Sequence, residues 1–412
     1  MAEVVKDKRR RQFGNLEGAP GWYGTPLSEL HFEWSREEQL EIDRYCELIL
    51  KNAAEEEMTP LERFEATFRG KPRDRALIAV LYNNSYGVRT LDSAADALKP
   101  IDVYRNPKLW VKVHLATVAR FKLDYANPFE ISYTEEFWGG SARMTEYGST
   151  NLIGGPPIRS IEDLAALEVP DPTRDGLFPG YLWGLRELRR IYDEHGVSKV
   201  MPIYPRICGD PHSIAMLYMM GWAPFAMSLR KDPELCRRCL ELATEWEIRY
   251  GQAVIDAARP QALFMCAMTG VVAPEGNEWL TDYWTKVGRA LGSQVPVTYA
   301  YAFPMTVQLL PTMWERGALG PGSFVGGLHD EQCDPEKMLD FHREHDLYIA
   351  CIGSCQTLLD GPVSAIEEEM EQLSGFGKSY PRFSAAIGMV NYWTPQSHLD
   401  AAIAAAKKHG RY

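Results

Sequence analysis

The strongest constraint on the fold of this chain is a repeated alternation between residue 76 and residue 409. Short β-rich apolar runs take turns with helical patterns there. The runs are Ala76–Tyr82, Phe121–Tyr125, Val197–Ile207, Ala262–Met268, Val295–Tyr301, Ser323–Leu328, Leu347–Ile352 and Phe383–Val390. Apolar residues at helical spacing fill the gaps, over Pro107–Arg120, Tyr181–His195, Pro211–Ala258, Glu275–Leu291, Met305–Arg316, Asp334–His345, Pro362–Leu373 and Ser397–His409. A helix between two strands returns the chain to the end it started from, so the strands run parallel. Eight such units predict an α/β protein of the (β/α)8 TIM-barrel class. The stretch from Glu130 to Gly180 fits no unit and is expected to be an insertion over one end of the barrel.

Residues 1–57 precede the alternation and are expected to form an N-terminal extension, with the barrel spanning 58–412. Aromatic and Gly/Pro-rich sequence from Phe13 to Trp34 leads into an acidic helix, Ser35 to Glu57, whose opening resembles a capping box. Thr59-Pro60 then offers a cap with proline at the first helical position. The extension suits either a cover for the barrel mouth or a subunit contact in a homo-oligomer.

With 44 basic and 56 acidic residues the chain carries a formal charge of -12. That balance repels phosphate backbones and argues against nucleic-acid binding. No apolar stretch reaches the roughly 20 residues that cross a bilayer, and no signal peptide is visible at the N-terminus. The eight cysteines are scattered, as expected of reduced thiols in a cytoplasmic protein.

In parallel barrels the chemistry sits where strands end and loops begin. The first strand delivers Asn83, Asn84, Tyr86 and Arg89, and the second is followed by Glu130, Glu135 and Glu136. The third ends in Arg206, Cys208, Asp210 and His212, and the fourth in Cys266. Tyr299 and Tyr301 close the fifth, His329 and Asp330 the sixth, Cys355 the seventh and Asn391 the eighth. A guanidinium at Arg206 needs an anion, either a substrate carboxylate or an acid of the chain such as Glu136. Asn83, Asn84 and Asn391 have the amides to orient a substrate. Tyr82, Tyr86, Tyr299, Tyr301, Trp138 and Trp393 lie near loop ends and predict an aromatic-lined pocket for a small planar ligand. Cys355 with His329 or Cys266 is the combination to hold a metal, if one binds. Cys236-x-x-Cys239 falls inside a helical pattern without a second ligand pair, which favours ordinary packing. His342-x-x-His345 is flanked by charges and is expected on a solvated face.

Several segments, collinear from about residue 58 onward, resemble the uroporphyrinogen-decarboxylase superfamily. They are Met58-Thr59-Pro60-Leu61-Glu62-Arg63-Phe64 with Arg69-Gly70-Lys71-Pro72, then Ile161-Glu162-Asp163-Leu164 with Leu167-Glu168-Val169-Pro170-Asp171-Pro172. Gly209-Asp210-Pro211-His212-Ser213-Ile214-Ala215, Asp232-Pro233-Glu234-Leu235 and Leu359-Asp360-Gly361-Pro362 follow. The second segment is similar to the corrinoid-linked methyltransferase branch.

That resemblance implies a methyltransferase or demethylase moving a methyl group from a small, methoxyaromatic-type substrate to a cobalamin-type corrinoid. The corrinoid would come on a carrier protein or bind at the barrel mouth, since no carrier module is visible in the chain. The true decarboxylases use several arginines after the first strand, where this chain has only Arg89. The branch's zinc ligands, a His-x-Cys pair at the fifth strand and a Cys at the eighth, are replaced by Tyr299-Ala300-Tyr301 and Val390-Asn391-Tyr392. Zinc therefore remains an option only at a rearranged site. Without zinc, Tyr301, His329 and Glu136 are the candidate catalytic acids that would activate the leaving group. Two alternatives stay open: a cofactor-independent decarboxylase of a small carboxylated substrate anchored by Arg206 or Arg89, and a non-catalytic ligand-binding barrel.

Overall fold

The computed structural model describes residues 16–82, 86–91, 98–126, 135–146, 150–165, 167–267, 278–301, 309–318, 322–325 and 335–412. Its strands are β1 (Leu16–Glu17), β2 (Leu77–Tyr82), β3 (Tyr125–Ala126), β4 (Ser141–Met144), β5 (Thr150–Ile153), β6 (Arg206–Cys208), β7 (Leu263–Ala267), β8 (Val297–Tyr301), β9 (Gly322–Val325), β10 (Tyr348–Ile352) and β11 (Phe383–Val390). The fold is α/β. Each of the eight expected runs contributes a strand to one parallel sheet, ordered β3-β2-β11-β10-β9-β8-β7-β6. The chain's first and last long strands are therefore neighbours, with Leu77 opposite Ser384 and Val80 opposite Ile387.

The sheet curls until its two ends meet through side chains. Tyr125 of β3 and Tyr204, just before β6, lie with ring centroids 5.1 Å apart. No strand pairing between β3 and β6 occurs among the described residues. The third run is much shorter than its expected span, because Pro202 and Pro205 cannot donate ladder hydrogen bonds and Val197–Lys199 forms a 3-10 turn.

The inner face at the N-terminal end of the strands is an aromatic plug. Phe64, Tyr125, Tyr204, Phe264 and Tyr348 are buried there with Leu77, Ala79 and Ala386. Phe64 and Phe68 come from the helix Pro60–Phe68, capped by Thr59 and Glu62 as the sequence suggests. Phe68 stacks on Tyr348 at 4.7 Å. Below the plug, Asp124 receives Arg63 Nη1 at 2.5 Å and Arg75 Nη1 at 2.6 Å, and Arg63 also reaches Asp74 at 2.5 Å. Burial works to raise the Asp124 carboxyl, but Arg75 and Arg63 bring it down to about 2.

The outer layer differs from expectation in one place. The single helical pattern Pro211–Ala258 is broken into a π-helical turn (Ile214–Met220), a helix Trp222–Lys231 and a long helix Pro233–Ala258. Gly221 sits at φ 87°, a conformation that a side-chain-bearing residue resists, and Asp232 caps the long helix. The insertion carries the antiparallel pair β4–β5, onto which β1 of the extension adds in parallel. Trp22 fills the space above Gly180, where a Cβ would come within 2.4 Å of its ring. The extension is thus packed against the insertion and the helix Phe178–His195.

Candidate functional site

The C-terminal ends of the curled sheet carry the polar residues, and their surroundings sort them. Arg206 opens β6, in register with Phe264 of β7, and its guanidinium carbon lies 5.7 Å from the centre of the Phe264 ring, at the edge of the aromatic plug. It is half-buried, with its backbone carbonyl accepting from Tyr181 Oη at 3.1 Å.

The turn that follows is structural. Asp210 is fully buried and caps the next helical turn, accepting from the His212 and Ser213 amides at 2.9 and 3.2 Å. Its carboxylate also accepts from Trp284 Nε1 at 2.9 Å and from the Ser213 hydroxyl. Burial works to raise its carboxyl, yet His212, Ser213 and Trp284 hold it below the ordinary carboxylate range. His212 has an acceptor at each ring nitrogen, Asp210 at 3.1 Å and the Leu280 carbonyl at 2.9 Å. Both residues lock β6 to the helix Thr281–Gly292, which removes them from the list of groups facing substrate.

Four of the expected site residues make framework contacts. Tyr299 is buried and donates its hydroxyl to the Trp284 carbonyl at 3.2 Å, close against Gly288 of the neighbouring helix. It points out of the lumen, which corrects the expectation that it binds substrate. Tyr86 is buried beneath Arg89, whose guanidinium carbon lies 5.3 Å from the centre of the Tyr86 ring. Arg89 itself donates to the Tyr392 and Thr394 carbonyls, both at 2.9 Å, so it is not an anchor for a substrate carboxylate. Asn391 accepts from the Trp393 amide at 2.9 Å, using its carbonyl to hold the turn after β11.

Glu136 is fully buried, and its Oε1 accepts from Tyr23 Oη of the extension at 3.0 Å. Burial and the charges of Glu136 and Asp175 push the Tyr23 hydroxyl far above its ordinary value, so it stays a proton donor. Asn83, Asn84, His329 and Cys333 lie outside the described residues, as do the side chains of Tyr301, Cys266 and Tyr82. Cys355 is exposed and opens the helix Cys355–Asp360. Among the described residues no three His, Cys, Asp or Glu side chains come together to hold a metal.

Other expectations resolve as packing. Cys236 and Cys239 are buried on the long helix, and burial pushes the Cys236 thiol up to about 12. His342 is buried with Nδ1 on the Met338 carbonyl, contrary to the solvated face expected for it. The flanking charges belong to the other side of that helix. Glu247 went unnoticed in the sequence: it is fully buried, and its Oε1 stands 3.4 Å from where a Cβ on Gly209 would lie. The signal was present, because Glu247 falls on the apolar stripe of Leu240, Ala243, Tyr250 and Val254. A cleft of about 630 Å³ opens on the opposite, N-terminal side. It is lined by ion pairs, Lys122 with Glu55 and Lys407 with Glu56 among them.

A curled parallel sheet with polar turns at its C-terminal rim defines a class of enzyme-type α/β folds, and the comparisons narrow it. The chain belongs to the uroporphyrinogen decarboxylase (URO-D) family, whose model matches residues 59–407. Among solved structures, a methyltransferase from Methanosarcina mazei superposes with a TM-score of 0.69 at 20% identity, over 85% of this chain and 99% of that one. At that identity the likeness is one of fold. A mandelate racemase/muconate lactonizing enzyme-like protein from Rubrobacter xylanophilus gives a TM-score of only 0.40 at 10% identity, over 79% and 60% of the two chains. No curated protein matches the chain in sequence. No described helix is long and apolar enough to cross a membrane.

Proposed function

We propose that this chain is a (β/α)8-barrel methyltransferase that takes a methyl group from a small methoxyaromatic-type donor and passes it to a cobalamin-type corrinoid. The corrinoid would be presented by a carrier protein. The observation that carries the proposal is the family match over residues 59–407 taken with the sequence after the first strand, which offers the single arginine Arg89. That arginine is committed to two backbone carbonyls, and Arg206 lies against the Phe264 ring. A porphyrinogen bearing eight carboxylates needs several cations at once, whereas a small donor with one carboxylate needs one. The fold neighbour from Methanosarcina mazei bears the name methyltransferase, which agrees with this choice.

When bound, the corrinoid supplies the nucleophile that accepts the methyl group. The protein's part is to hold the donor and to protonate the oxygen or nitrogen that the methyl leaves. Arg206 anchors the donor's carboxylate. Tyr301, the last residue of β8, and His329, which the sequence pattern assigns to the end of the sixth apolar run, are the proposed proton donors. Glu136 is a weaker candidate for that role, because its Oε1 is engaged by Tyr23. The usual zinc-thiolate set does not fit the residues at positions 299–301 and 390–392, so no step is assigned to zinc.

The placement of Arg206 equally suits a second reading, the decarboxylation of a small carboxylic acid, with Arg206 as the anchor. A panel of methoxyaromatic acids and methylamines, offered with reduced corrinoid, separates the two. Donor-dependent change of the corrinoid absorption spectrum supports methyl transfer. Release of carbon dioxide without corrinoid supports decarboxylation and contradicts methyl transfer.

A further inference from the structure

Six aromatic residues near loop ends were candidates for lining a ligand pocket, and burial separates them. Tyr86, Trp138 and Tyr299 are buried in packing, and the side chains of Tyr82 and Tyr301 lie outside the described residues. Trp393 differs: it is 60% exposed, on the turn that follows β11. An indole exposed to that extent forgoes much of the burial free energy that usually governs its placement, even with the Tyr392 ring edge-on to it at 5.8 Å.

That turn is built with unusual redundancy for a surface loop. The Asn391 amide donates to Thr394 Oγ1 at 3.2 Å, the Thr394 amide to the Asn391 carbonyl at 3.1 Å, and the Trp393 amide to Asn391 Oδ1 at 2.9 Å. Arg89, from the segment after β2, then clamps the carbonyls on either side of Trp393, those of Tyr392 and Thr394. Tyr86 supports the guanidinium from beneath. Because β11 and β2 are neighbours in the sheet, the clamp joins two adjacent strand ends at the rim. A tethered backbone carrying an exposed flat ring is a preorganised stacking surface.

We infer that Trp393 is the rim platform on which a planar ring ligand of this enzyme lies, with Arg89 as the positioning residue that fixes it. The inference rests on the proposed function and deepens it by assigning ring recognition to one residue. The planar ring is either the aromatic donor or the corrin macrocycle, and both present an extended face to an indole.

The test is calorimetric titration of the full-length protein with two probes, hydroxocobalamin and 3,4-dimethoxybenzoate. Wild type, Trp393→Ala, Trp393→Phe and Arg89→Met are compared, each after its melting temperature has been checked. Binding of one probe is expected to weaken about tenfold in Trp393→Ala and to stay within about threefold in Trp393→Phe. The probe whose affinity moves identifies the ring. Arg89→Met should weaken the same probe, and Trp393→Ala should add little in the Arg89→Met background, as expected for residues acting as one unit. Equal affinity in wild type and Trp393→Ala overturns the role of Trp393 and leaves the methyltransferase proposal standing. Failure of wild type to bind either probe overturns the platform inference, while the methyltransferase proposal is decided by the donor-dependent change of the corrinoid spectrum.

Discussion

At the N-terminal end of the strands, Phe64, Phe68, Tyr204 and Tyr348 pack ring against ring, and Asp124 is held by two arginines out of water. At the C-terminal end, the turns are tied by polar side chains, namely Asp210, Asn391 with Thr394 and Arg89, and Glu369, whose Oε1 accepts from the Ser354 amide at 2.7 Å. The contrast shows how one sheet serves two demands. The floor is filled and neutralised, so it stabilises; the rim is braced but leaves Trp393 exposed, so it can meet a ligand.

Substitutions at the two ends should therefore separate cleanly. The largest effect is expected at the floor, where Asp124→Asn leaves two buried guanidinium groups short of a partner and should cost about 3–5 kcal/mol, read as a lower denaturant midpoint. Phe64→Ala belongs to the same range, about 3–5 kcal/mol, through the cavity left in the plug. Loss of the rim's Arg206, as Arg206→Met, should leave the melting temperature close to wild type. It should lower kcat/KM for the carboxylated donor by about 10–100-fold, the usual scale for one charge-assisted contact. A floor variant that melts normally, or an Arg206 variant that unfolds, would break the comparison.

The pH dependence of stability belongs to the interior. Burial holds His114 down to about 3 and His342 down to about 4, so both are neutral in the folded state. Their folded values lie below the unfolded one of about 6.5, so the unfolded chain binds protons first. Their contribution is complete above pH 6.5 and is lost as pH falls toward 4, with a slope of up to about 1.4 kcal/mol per pH unit for each histidine. Asp124 adds a second loss at lower pH, between about 4 and about 2. Denaturant titrations at pH 7, 5.5 and 4.5 check the sign, and His342→Gln should flatten the curve. The smallest effect is expected at Cys355, which is exposed and should react with a thiol reagent in the native protein without a change in melting temperature. Cys236 and Cys239 should react only on unfolding.

The floor was legible in the sequence because its determinants are local and periodic. The Thr59-Pro60 cap, the apolar runs and the helical spacings each state an element by themselves. The rim was legible in position only. Strand ends pointed to Tyr86, Arg89, Tyr299 and Asn391, but which way each side chain turns depends on partners far along the chain. Arg89 finds its acceptors some 300 residues away, and Tyr299 its carbonyl acceptor at Trp284. The bond from Tyr23 to Glu136 crosses from the extension to the insertion, and neither segment carries a pattern that announces it. Glu247 was the exception, a charge on an apolar stripe that periodicity alone could have flagged.

The most direct test of the account is a paired measurement on wild type and Arg206→Met, recording the melting temperature and the rate of donor-dependent methylation of reduced corrinoid. The account predicts that wild type converts a carboxylated methoxyaromatic donor, and that Arg206→Met melts within a few degrees of it while turning over at least about tenfold more slowly. No conversion by well-folded wild type, or an unchanged rate in a folded Arg206→Met, would contradict it.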